Sequence, residues 1–183
     1  VAGKSALIMG FGRIGQRVGA LCRALGLRVA AFDPYMERSP VEGVEMVKDF
    51  RAILPETDFL CLHLPSTPET RDLIGAGELA LLKRGAFVLN CARGGIVDED
   101  VLCDALESGH LGGAGLDVFA KEPPDTAHRL FRQEKVLLSP HNAALTEECA
   151  IRMATQAVQN VLDCLDGKLQ PRVVMNRREI GMA

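Results

Sequence analysis

The stretch Gly10-Phe11-Gly12-Arg13-Ile14-Gly15 constrains the fold more than any other. It follows the apolar run Ala6-Leu7-Ile8-Met9 and leads into Val18, Leu21, Cys22 and Leu25 at helical spacing. Strand, glycine turn and helix form the context in which a G-x-G-x-x-G spacing has physical meaning. Gly10 then allows the tight turn, Gly12 lets backbone approach a pyrophosphate, and Gly15 lets the helix pack closely on the strand. The helix start, with its unsatisfied N–H groups and positive dipole end, favours phosphate charge. Three spaced glycines among eighteen also describe an ordinary turn, so the rest of the chain has to decide.

Short apolar runs alternate with helical patterns along the whole sequence, which predicts a doubly wound α/β fold with a parallel sheet covered on both faces. Strands are expected at 5–9, 27–32, weakly at 44–47, and at 58–62, 86–90, 114–118 and 135–138. Helices are expected at 13–25 (closed by Gly26), at 49–54 (capped by Asp49 and ended before Pro55), near 76–82, and at 99–108 between Asp98 and Gly109. Thr146 opens the longest helix, with Glu147 and Glu148 in its first turn and Ala150, Ala154, Ala157, Val158, Val161 and Leu165 repeating at three and four residues until Gly167. The tail, 171–183, reads as an extended exit. With no internal repeat or low-complexity segment, residues 1–183 read as one domain.

A dinucleotide fold places an acidic residue about 20 positions beyond the loop, at the end of the second strand, where it bonds the ribose hydroxyls. Asp33 stands eighteen positions beyond Gly15, directly after Phe32. Its carboxylate would accept the ribose hydroxyls and repel a 2′-phosphate, which favours NAD over NADP. A simple Asp33-Pro34 turn is the competing explanation.

Three polar stretches fall just after strands, at the sheet edge where open α/β folds bind ligands. In Asn90-Cys91-Ala92-Arg93-Gly94-Gly95, the arginine is placed to grip a carboxylate bidentately, or is a surface arginine at a turn. In the segment from Gly115 to Pro124, Asp117 ends a strand and Glu122 precedes two prolines; alone, a loop glutamate is usually solvated. In Ser139-Pro140-His141-Asn142, a histidine follows an apolar strand. Arg93, Glu122 and His141 together make a hydride-transfer set: arginine for the carboxylate of a 2-oxo acid, histidine for the proton, glutamate to fix the histidine tautomer. His63, His110 and His128 read as structural or surface residues, and the His, Cys and Asp spacing offers no metal site.

The composition is that of an ordinary globular protein, 48% hydrophobic and 25% charged, with a net charge of −3 and no basic block, which disfavours nucleic acid as a partner. No apolar stretch approaches the ~18 residues of a membrane span, and no signal peptide is expected ahead of the first strand. Six cysteines without a C-x-x-C pair or regular framework read as buried free thiols in a reducing, cytoplasmic compartment.

Taken together these motifs resemble the D-isomer-specific 2-hydroxyacid dehydrogenases, the family of phosphoglycerate dehydrogenase and glyoxylate/hydroxypyruvate reductase. The resemblance covers about 3–170 and includes the glycine loop, Asp33-Pro34-Tyr35, His63-Leu64-Pro65 with Thr67 and Thr70, Asn90 to Asp98, Gly115 to Pro123, and Ser139-Pro140-His141. It implies a Rossmann NAD-binding domain with Arg93, Glu122 and His141 as catalytic residues. It also implies NAD contacts from Gly10, Gly12, Arg13, Ile14 and Gly15 at the pyrophosphate, Asp33 at the adenosine ribose, and Leu64, Pro65 and Thr70 on the adenine and ribose side. Cys91, Ala92 and Asp117 would lie beside the nicotinamide, with Asn142, Ala143 and Ala144 closing that wall. The implied partners are a small 2-hydroxy or 2-oxo acid and a second copy of the chain, paired through the cofactor domain. Glu122 matches the hydroxyacid members rather than the formate dehydrogenase branch.

Two departures stand out. Asn142-Ala143-Ala144 replaces the glycine, or small residue and tryptophan, that often follows the histidine, so that motif does not assign a substrate. The family's substrate domain, built mainly from residues before the cofactor domain, is expected to be missing, because the glycine loop begins at residue 10. The chain therefore reads as the cofactor half of a dehydrogenase, excised or complemented by another chain, and weakly active or inactive alone. An NADH-sensing interaction module, similar to the C-terminal-binding-protein co-repressors, is the alternative.

Overall fold

The structure, a computed structural model, describes residues 1–177 and 179–181. It divides into two compact units, Val1–His141 and Asn142–Ala183.

The first unit is built on a sheet of seven parallel strands among the described residues: β1 (Ser5–Met9), β2 (Arg28–Phe32), β3 (Val44–Met46), β4 (Phe59–Leu62), β5 (Phe87–Asn90), β6 (Gly113–Leu116) and β7 (Val136–Leu138). Their order across the sheet is β3-β2-β1-β4-β5-β6-β7. The order reverses at β1, where Met9 pairs with Phe32 on one side and Leu62 on the other. A reversal of this kind opens the crevice in which doubly wound sheets bind ligands.

Alternation along β1 shows how both faces are buried. Leu7 and Met9 enter one core with Leu60, Leu62 and Val88, under α2 (Ala76–Leu81) and α3 (Glu99–Glu107), which contribute Leu79, Leu102 and Leu106. Ala6 and Ile8 enter the other core with Phe11, Val29, Ala31 and Cys61, against which Val18 and Cys22 of α1 (Arg13–Ala24) pack. A parallel strand is apolar on both sides because helices cover both faces.

The expected strands and four of the five expected helices appear, with ends shifted by up to two residues. The helix expected at 49–54 does not form. Asp49 Oδ1 instead accepts the Arg51 N–H at 3.0 Å, closing a local turn in place of a helix cap. The single helical turn there is a 3-10 helix, Leu54–Glu56. Pro55 lies at its start rather than beyond its end, since the first helical turn needs no N–H from it. Two of the six thiols expected to be buried, Cys91 and Cys164, are exposed; Cys91 lies past the end of β5 and Cys164 on the last turn of a solvated helix.

The second unit carries α4 (Glu147–Leu165), whose N-cap Thr146 accepts the Cys149 N–H at 3.2 Å. Its tail is not simply extended: Pro171–Val173 forms a 3-10 turn, and the Asn176 carbonyl accepts N–H groups of Glu179 and Ile180. Residues 178, 182 and 183 of the expected exit lie outside the described residues.

Candidate active site

The carboxyl edge of the sheet is assembled from the turns after β1, β2, β4, β5, β6 and β7. Gly10 has a φ of +87°, the left-handed region that favours glycine, and a Cβ there would press on the His63 backbone. A Cβ on Gly15 would land on the Gly10 carbonyl, so strand and helix touch backbone to backbone. Gly12, the N-cap of α1, differs: a Cβ there would meet nothing within 4 Å. No side chain caps this helix start and no acidic residue stands in its first turn. An uncapped helix start with open space before it fits a pyrophosphate. Arg13 and Ile14 follow on the exposed first turn.

Asp33 faces this loop. Its Oδ2 accepts the Phe11 N–H at 2.9 Å and its Oδ1 accepts the Tyr35 N–H at 3.0 Å. The turn and the glycine loop are thus two uses of one carboxylate, and its remaining lone pairs can meet hydroxyl donors. Beside it lies a cavity of about 390 Å³ lined by Phe32, Asp33, Pro34, Met36, Arg38 and Lys48, among others. After β4, Leu64 is buried in the core while Pro65 is exposed. The Thr70 hydroxyl closes that loop by donating to the Pro65 carbonyl at 2.7 Å and accepting the Thr67 N–H at 2.8 Å. Both ring nitrogens of His63 are buried without a hydrogen-bond partner in the protein, and burial pushes its pKa below the ordinary histidine value.

The turn after β5 is held by Asn90, a buried residue without an assigned role in the sequence reading. Its Oδ1 accepts the Ala92 N–H at 3.1 Å and its Nδ2 donates to the Arg93 carbonyl at 3.0 Å. Ala92 is buried, Cys91 exposed, and Arg93 exposed with one guanidinium N–H on the Ala92 carbonyl at 2.6 Å. Gly94 then brings two loops together, since a Cβ there would land on the Phe119 carbonyl of the turn after β6. A polar residue ending an apolar strand was the available signal for Asn90. The tight approach of Gly94 had none.

Asp117 is 4% exposed; its backbone N–H bonds the Asn90 carbonyl, and its carboxylate accepts the Ser139 hydroxyl. Glu122 Oε1 accepts the Phe119 N–H at 3.1 Å, and its Oε2 lies 2.8 Å from His141 Nδ1. The bond to His141, then the one from Phe119, holds the Glu122 carboxyl below its usual value. His141 has a φ of +53°, an uncommon backbone for a residue with a Cβ, and its N–H turns back to the Ser139 carbonyl. The Glu122–Pro123 peptide is cis. Glu122 and His141 also edge a cavity of about 380 Å³ whose other walls include Phe119, Pro124, Phe131, Leu138 and Pro140. Asn142, Ala143 and Ala144 begin the second unit, where the Asn142 carbonyl accepts the Leu145 N–H and the Ala144 carbonyl accepts the Thr146 N–H.

Comparison with known proteins gives the family. The sequence model described as "D-isomer specific 2-hydroxyacid dehydrogenase, NAD binding domain" matches residues 1–143. The chain belongs to this family. It is 40% identical to a D-3-phosphoglycerate dehydrogenase of Methanocaldococcus jannaschii over 174 residues, covering 94% of this chain and 33% of that protein. It is 41% identical to a glyoxylate reductase of Aeropyrum pernix over 177 residues, 94% of this chain and 52% of the relative. Among solved structures, the NAD-complexed form of a D-isomer specific 2-hydroxyacid dehydrogenase from Lactobacillus delbrueckii ssp. bulgaricus superposes with a TM-score of 0.84 at 30% identity, covering 94% of this chain and 56% of that one. The NAD-binding domain described here thus spans between a third and just over half the length of these relatives. Among the described residues, no helix is long and apolar enough to cross a membrane, and no group of three or more His, Cys, Asp or Glu side chains is arranged to hold a metal ion.

Proposed function

We propose that this chain is the cofactor half of an NAD-dependent D-2-hydroxyacid dehydrogenase, with Arg93, Glu122 and His141 as its catalytic residues. The observation that carries the reading is the 2.8 Å contact of Glu122 with His141 Nδ1, on the sheet edge that also bears the uncapped glycine loop. A carboxylate on Nδ1 keeps a proton on that nitrogen, so in the neutral ring Nε2 holds the lone pair. His141 Nε2 takes the hydroxyl proton when the 2-hydroxy acid is oxidised and returns it to the carbonyl oxygen in reduction. Glu122 stabilises the imidazolium in between. Arg93 offers its outward N–H groups to the substrate carboxylate and fixes the reacting carbon. NAD, held by the glycine loop and Asp33, would supply the hydride chemistry.

The binding residues of the first unit follow the same edge. Gly10, Gly12, Arg13, Ile14 and Gly15 would cradle the pyrophosphate, and Asp33 the adenosine ribose, with a preference for NAD over NADP. Leu64, Pro65 and Thr70 would line the adenine and ribose side. Cys91, Ala92 and Asp117 would lie beside the nicotinamide, and the family resemblance adds Asn142, Ala143 and Ala144 as cofactor contacts. The substrate class is a small 2-hydroxy or 2-oxo acid. Six free thiols favour a reducing cytoplasm, and the family resemblance favours a homodimer paired through this domain, which sedimentation across concentration tests.

Steady-state kinetics of the enzyme as it occurs in the cell, assayed with glyoxylate, hydroxypyruvate and larger 2-oxo acids, tests the roles directly. His141→Gln should lower kcat by about a thousandfold while leaving NADH affinity unchanged. Turnover that survives this change would refute the assignment, and saturable NADH binding without any turnover would favour a sensing module.

A further inference from the structure

Two adjacent carboxylates open α3 and point their hydrogen bonds to different places. Asp98 caps the helix, its Oδ1 accepting the N–H groups of Asp100 and Val101 at 3.0 and 3.1 Å. Glu99, the first helical residue, turns away from its own helix, and its Oε1 accepts the backbone N–H of Ala120 at 2.6 Å. A carboxylate acceptor makes a stronger hydrogen bond to an amide than a neutral oxygen does.

Ala120 lies inside the segment that presents Glu122. Three successive backbone groups there are occupied: the Phe119 N–H by Glu122, the Phe119 carbonyl by the close approach of Gly94, and the Ala120 N–H by Glu99. Gly94 lies in the stretch between β5 and α3 that carries Arg93, and Glu99 is the first residue of α3, directly after that stretch. The arginine-bearing and glutamate-bearing turns are therefore one fastened piece, and Glu99 is its only fastening by a side chain from outside the glutamate turn among these three.

We propose that Glu99 is a positioning residue for the reaction, fixing the 119–122 turn so that Glu122 reaches His141 Nδ1. This rests on the reading of Glu122 and His141 as the proton-transfer pair. Glu99 touches neither substrate nor cofactor; it acts through the Ala120 amide.

Nuclear magnetic resonance on the 183-residue chain tests it without needing turnover. The two readouts are hydrogen exchange at the Ala120 amide and the carboxyl titration of Glu122. In Glu99→Ala, Ala120 should exchange roughly tenfold faster or more, and the Glu122 titration should move up toward the ordinary glutamate value. Glu99→Gln keeps an acceptor oxygen at the same reach and should stay close to the wild type. Glu99→Asp is one methylene short and should behave as alanine does. If the alanine variant does not fold, the contrast between Gln and Asp decides. Unchanged exchange and titration in Ala and Asp, or a Gln variant indistinguishable from Asp, would overturn the proposal. A failed acid–base assignment would instead appear as turnover surviving His141→Gln, with these amide and carboxyl readouts unaffected.

Discussion

Asp58 and Glu122 are carboxylates at opposite edges of one sheet, and they are treated differently. Asp58 precedes β4 at the amino edge, with its side chain 13% exposed, and bonds Lys83 at 2.8 Å, Lys4 at 3.4 Å and both the N–H and hydroxyl of Ser5. Burial raises its pKa, but Lys83, Ser5 and Lys4 outweigh that and hold the carboxyl well below the usual carboxylate range. Glu122, at the carboxyl edge, is 39% exposed, and its ionic partner is a histidine that is itself 48% exposed. The amino edge spends its polar groups on one another. The carboxyl edge leaves a histidine, an arginine and a helix start facing outward, which is what a site needs if its last partners are a cofactor and a substrate.

The glycines divide in the same way, and they give the largest expected effect. Gly15→Ala sets a Cβ onto the Gly10 carbonyl and should destabilise the domain by about 3 kcal/mol in denaturant unfolding, the upper range for overpacking. A loss under 0.5 kcal/mol would break the claim that strand and helix meet backbone to backbone.

Asp58→Asn should cost about 2 kcal/mol at neutral pH, as expected for losing charge-assisted hydrogen bonds at a mostly buried site. The sign with pH is fixed by the depressed folded value. The contribution is complete above the unfolded pKa of about 3.9 and is lost as pH falls through the lower folded one. Wild type and variant should therefore converge in unfolding curves taken below about pH 3.9. A difference that stays constant across that range would contradict the assignment.

Gly12→Ala meets open space and should leave unfolding unchanged while weakening NADH about tenfold, because its Cβ enters the ground reserved for phosphate. The smallest effect belongs to Glu122→Gln, which should alter stability by under about 0.5 kcal/mol, since exposed ion pairs contribute little. A large stability loss there would place Glu122 with Asp58 as a structural carboxylate.

What the sequence revealed follows from the range of the physics involved. The β1–α1 turn, Asp33 and the Asp98 cap depend on residues near one another in the chain or on strand periodicity, and each is legible. Asp49 misled because a capping side chain can equally close a two-residue turn, and only the surrounding loop decides. Lys4 and Lys83 on Asp58, and Glu99 on Ala120, join positions 54, 25 and 21 residues apart through the sheet, so no local pattern announces them. Arg93, Glu122 and His141 could be named as a set because each follows a strand of one parallel sheet. Only the folded structure shows that Glu122 meets His141 at Nδ1 and that the turns bearing Arg93 and Glu122 are fastened together.

As a dinucleotide site, the carboxyl edge should prefer an unphosphorylated ribose. The most direct test is a fluorescence titration of the chain with NADH and, separately, NADPH; the absence of tryptophan means the cofactor's own emission must be followed. The account predicts saturable NADH binding and NADPH binding at least about tenfold weaker, set by the Asp33 carboxylate. No saturation by NADH up to millimolar concentration, or equal affinity for the two, would contradict it.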